Sequence, residues 1–121
     1  MSSDPSSQPL LVACLCAAWC GACRDYRAVF DKQAQESAGV AELVWVDIED
    51  HDEVLGALDI QDFPTLAVLR GDEPLFFGPV MPHAQTLARM LRGAAAGELA
   101  AIEAAPLQGL PQRLREFAAG R

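Results

Sequence analysis

Leu10-Leu11-Val12-Ala13-Cys14-Leu15-Cys16-Ala17-Ala18-Trp19-Cys20-Gly21-Ala22-Cys23 is the stretch from which the fold can be read. Its first half, Leu10 to Cys16, is apolar throughout and reads as a buried parallel strand. The residues that follow the stretch, Arg24 to Gln33, have helical periodicity. The inner stripe is Cys23, Tyr26, Phe30 and Ala34. A strand that runs into Cys-x-x-Cys at the start of a helix is the setting in which two close cysteines mean redox chemistry. Unsatisfied N–H groups and the helix macrodipole stabilise a thiolate at such a start. Cys20 is therefore the expected nucleophile. Cys23, one turn further in, is the expected resolving thiol, which attacks a mixed disulfide and releases the reduced substrate.

Outward from this stretch, the chain's 121 residues suit one domain that can bury a core without disulfide staples. The net charge of −8 argues against nucleic acid or an anionic membrane as partner. Much of the acid is clustered in Asp47, Glu49, Asp50, Asp52, Glu53, Asp59 and Asp62, which read as a solvated face. Residues 1–9 are rich in Ser and Pro, with neither a basic nor an apolar segment of the secretory type; a disordered tail is expected there. No apolar run reaches the ~18 residues of a membrane span. The expected location is the cytoplasm, where cysteines are mostly reduced, catalytic or metal-bound. The cysteine spacing C-x-C-x₃-C-x₂-C does not match the usual zinc patterns, so neither a metal nor another cofactor is expected.

Further along, residues 20–36 are predicted helical and 42–48 form a second strand. Asp50 and Glu53 resemble a capping box opening a short helix over roughly residues 51–58. Strands at 65–70 and 75–78 flank a hairpin turn at Arg70-Gly71-Asp72-Glu73-Pro74. Pro82 suits the first turn of a further helix carrying Leu87, Met90, Leu91 and Ala94 on one face. The order β-α-β-α-β-β-α predicts an α/β fold, a mixed four-stranded sheet with helices on both faces. The domain is expected over 10–105. Residues 106–121, broken by Pro106, Gly109 and Pro111, form a C-terminal extension with a short helix.

Ala18-Trp19-Cys20-Gly21-Ala22-Cys23, Val46-Asp47-Ile48-Glu49, Ile60-x-x-Phe63-Pro64-Thr65-Leu66, and Gly71 with Gly78 together resemble the thioredoxin family over about residues 10–95. The resemblance implies a thioredoxin-like fold and thiol–disulfide oxidoreductase activity on protein disulfides, serving cell redox homeostasis. A recycling reductase and a monomeric protein are expected with it. It implies that Pro64 is cis and that Trp19, Gly21, Ala22, Phe63 and Pro64 line the substrate surface. There are departures. The β-α unit that opens a full-length thioredoxin is missing. Ala22 and Ala28 replace family prolines. Cys14 stands where the family keeps a buried aspartate, and Trp45 stands at its partner lysine. An adaptor module that docks partners with little turnover is the alternative reading. Cys14 and Cys16 share one side of their strand and read as small core hydrophobes. Asp62, His51 and His83 read as surface residues.

Overall fold

Seven consecutive buried residues, Leu10–Cys16, make β1 the centre of the sheet in a computed structural model that describes residues 10–56 and 58–120. The other elements are α1 (Gly21–Glu36), β2 (Ala41–Asp47), β3 (Thr65–Arg70), β4 (Glu73–Pro79), α2 (Ala84–Ala95) and α3 (Leu110–Ala119). The sheet order is β2-β1-β3-β4. β1 pairs parallel with β2, placing Cys14 beside Trp45, and antiparallel with β3, which pairs antiparallel with β4. This is the α/β thioredoxin-like architecture expected from the sequence. The disordered tail expected over residues 1–9 lies outside the described residues.

Alternation along β1 divides its side chains between two cores. Val12, Cys14 and Cys16 meet Cys23, Tyr26 and Phe30 of α1 and Leu87, Leu91 and Ala94 of α2. On the other face, Leu11, Ala13 and Leu15 meet Val54, Leu55, Leu107, Leu110 and Leu114. α3 therefore contributes Leu110 and Leu114 to the second core. Leu110 and Leu114 are fully buried, worth about 2 kcal/mol each.

Three local expectations differ from what is found. The helix expected over residues 51–58 is only a 3₁₀ turn, Asp52–Val54, and no side chain caps it. The stretch is too short to bury more than Val54 and Leu55. Pro82 precedes α2, whose N-cap is His83. His51 is half-buried and stacks edge-on against Phe117, with ring centroids 4.9 Å apart. A contact between residues so distant in sequence has no local signature.

Candidate active site

β1 ends at Cys16, at the C-terminal end of the parallel β1–β2 pair, and a tight turn from there starts α1. The Cys20 N–H donates to the Ala17 carbonyl at 3.0 Å, and the Arg24 N–H donates to the Cys20 carbonyl at 3.2 Å. Cys20 is the N-cap residue with extended backbone (φ −84°, ψ 119°), and no side-chain hydrogen bond caps the helix there. Its thiol is free and half-buried. Cys23, one turn on, is 1% exposed.

The neighbouring loop completes the surface. The Phe63-Pro64 peptide is cis, as the family resemblance implies. Phe63 meets Trp19 edge-to-face, with centroids 5.5 Å apart and planes at 89°. Trp19 is 65% exposed. Rings in this arrangement attract through their quadrupoles, so the pair forms a stable aromatic edge beside Cys20. Gly21 is exposed, Ala22 half-buried and Pro64 buried. The Pro64 carbonyl accepts a hydrogen bond from the Val80 N–H at 3.1 Å, which ties this loop to the end of β4.

The thiols are not joined as the Cys-x-x-Cys spacing suggests. Cys23 is bonded to Cys16, across a Cα–Cα distance of 5.9 Å, and Cys20 is left free. The Cys14 sulfur lies 3.5 Å from that of Cys16. Burial pushes the Cys14 thiol far above its ordinary range, and the positive charge of Arg27 only partly opposes this. Burial likewise pushes the Tyr26 hydroxyl up. Cys14 thus fills the place of a buried acid without ionising. Cys16 escapes a sequence reading that treats it as a hydrophobe. Its alternation with Cys14, which points it at the helix carrying Cys23, is the signal that could have found it.

A cavity of about 310 Å³ opens beside Cys23, between Arg24, Arg27, Trp45 and Asp47. Arg27 lies over the Trp45 ring at 4.8 Å from its centroid, a cation–π contact. Of the acidic run, Glu49, Asp50, Asp52, Glu53, Asp59 and Asp62 are exposed, and Asp47 is half-buried. Among the described residues no three His, Cys, Asp or Glu side chains are grouped to hold a metal ion, and no helix is long and apolar enough to cross a membrane.

Comparison with known proteins bears on this geometry. The thioredoxin family model matches residues 3–91. A thioredoxin of Bacillus subtilis is 30% identical over 71 residues, covering 59% of this chain and 68% of that protein. A protein disulfide-isomerase A6 homolog of Caenorhabditis elegans is 37% identical over 57 residues, covering 47% of this chain and 13% of that protein. Among solved structures, the germline-specific thioredoxin Deadhead of Drosophila melanogaster superposes with a TM-score of 0.64 at 21% identity. That superposition covers 72% of this chain and 82% of the other. At such identity the superposition speaks for the fold alone. The sequence matches, with a cysteine pair at bonding distance, support thiol–disulfide oxidoreductase activity in general. Since the family model spans well over half of its length, the chain belongs to the thioredoxin family.

Proposed function

We propose that the protein reduces or exchanges disulfides of other proteins, with Cys20 as the attacking thiol and Cys23 as the resolving one. The observation that carries this is the contrast between the two sulfurs. Cys20 is free and reachable at the helix start, while Cys23 is buried one turn behind it. In the first step the Cys20 thiolate attacks a substrate disulfide and one substrate thiolate leaves. In the second, the Cys23 thiolate attacks the Cys20 sulfur, and the other substrate thiol is released. Trp19 and Phe63 supply an apolar edge against which a substrate chain can lie. The protein works in this reading as a monomer in the cytoplasm, contributing to cell redox homeostasis, and a separate reductase recycles it.

A disulfide-reduction assay on a protein substrate, with excess dithiol as recycling reductant, tests the proposal. Wild-type protein is expected to accelerate reduction, and Cys20→Ser to abolish the acceleration. Equal activity in Cys20→Ser would refute the assignment. No acceleration by wild type would favour the adaptor reading.

A further inference from the structure

Cys16 is a buried thiol that the two-cysteine cycle leaves unused, yet it is the one joined to Cys23. We infer that Cys16 is a second resolving thiol, which takes Cys23 from Cys20 and moves the disulfide into the core, returning Cys20 to the free state. This rests on Cys20 being the attacking thiol in the cycle above.

Three observations converge. The Cα–Cα distance of 5.9 Å between Cys16 and Cys23 lies within the range that a disulfide spans without backbone movement. Both residues are 1% exposed. Cys20 packs, partly buried, against the same core cluster that holds Cys14, Cys16 and Cys23. Cys23 therefore has two neighbouring thiols, one on the surface side and one on the sheet side, and can bond only one at a time.

The exchange balances within the molecule. The Cys16 sulfur, as thiolate, attacks the Cys23 sulfur of a Cys20–Cys23 disulfide. A Cys16–Cys23 bond forms and the Cys20–Cys23 bond breaks. Cys20 leaves as a thiolate, and the proton given up by Cys16 is balanced by the one Cys20 takes up. No electron enters or leaves, so no oxidant or reductant is needed beyond the substrate disulfide that first oxidised the protein. Cys14 helps as a positioning residue. It is held protonated by burial, and its S–H can donate to the Cys16 sulfur 3.5 Å away, favouring negative charge there during the attack.

The consequence is a two-electron-oxidised protein whose surface thiol is ready again. Its disulfide is shielded from external thiols and reopens when Cys20 attacks Cys23.

Reduced wild-type protein treated with one equivalent of a small disulfide oxidant tests this. Samples are quenched in acid over time, blocked with N-ethylmaleimide and cut with chymotrypsin. Cleavage after Trp19 places Cys16 and the Cys20/Cys23 pair on separate peptides. The expected result is a growing species in which the Cys16 peptide is cross-linked at Cys23 and Cys20 carries the blocking group. Cys16→Ala should lose that species and keep the Cys20–Cys23 loop. A wild-type protein that shows only the Cys20–Cys23 loop at all times overturns the inference and leaves the oxidoreductase reading standing. Absence of any disulfide at Cys20 in both proteins, with no reduction of a protein substrate, overturns both.

Discussion

Cys14 is 0% exposed and sits in register with Trp45, so its thiol has no water in which to ionise. Its folded-state pKa is raised above the unfolded value of about 8.5. The unfolded chain therefore loses this proton first. The stabilisation from burying the neutral S–H is fully present below about pH 8.5 and declines as pH rises, with a limiting slope of about 1.4 kcal/mol per pH unit. Cys14→Ala removes the titrating group and leaves a small cavity. We expect the variant to be less stable than the parent at pH 7, and the gap to close by about 1–2 kcal/mol between pH 8.5 and 10. Urea melts of the two oxidised proteins across that range check this. A gap that is constant with pH would mean that water reaches the thiol. The hydroxyl of Tyr26, raised in the same sense, adds a similar decline only above about pH 10.

At the scale of elements, Arg113 adds hydrogen bonds to the apolar packing that holds α3 against the turn after β2. Arg113 donates from Nε to the Val54 carbonyl at 2.7 Å and from Nη2 to the Leu55 carbonyl at 3.1 Å. Gly109 at the N-cap has φ +82°, a conformation that favours glycine, and a Cβ there would lie 2.7 Å from Arg113. Arg113→Met keeps much of the stem and removes both hydrogen bonds. It should cost about 1–3 kcal/mol and speed amide exchange in residues 110–119 more than in β1. Thermal melts with exchange mass spectrometry measure both; an unchanged melt and exchange pattern would contradict the clamp. This element also marks a limit of sequence reading. The apolar periodicity of α1 and the unbroken apolar run of β1 are local signals, and both elements appear where those signals place them. The docking of α3 depends on contacts such as Arg113 with Val54, 59 residues apart, which no local pattern encodes. The acidic stretch after β2 looks like a capped helix only because propensity is weak over so few residues; tertiary packing reduces it to one turn.

Over the whole molecule, two features set the chemistry: a central strand whose one face carries Cys14 and Cys16, and a helix that begins with Cys20 and turns Cys23 back onto that face. The Cys20–Cys23 spacing and the Phe63-Pro64 loop are legible in the sequence because they depend on neighbours along the chain. The closeness of Cys16 to Cys23 depends on how α1 lies across the sheet, and only the assembled fold reveals it. In the proposed cycle Cys20 is the sulfur that attacks substrate. Trapping tests it most directly. Cys23→Ser protein is mixed with a disulfide-containing protein substrate, quenched in acid, and the mixed disulfide mapped by mass spectrometry. The expected result is a stable covalent complex joined through Cys20. A complex joined through Cys14 or Cys16, or no complex at all where wild-type protein reduces the same substrate, would contradict it.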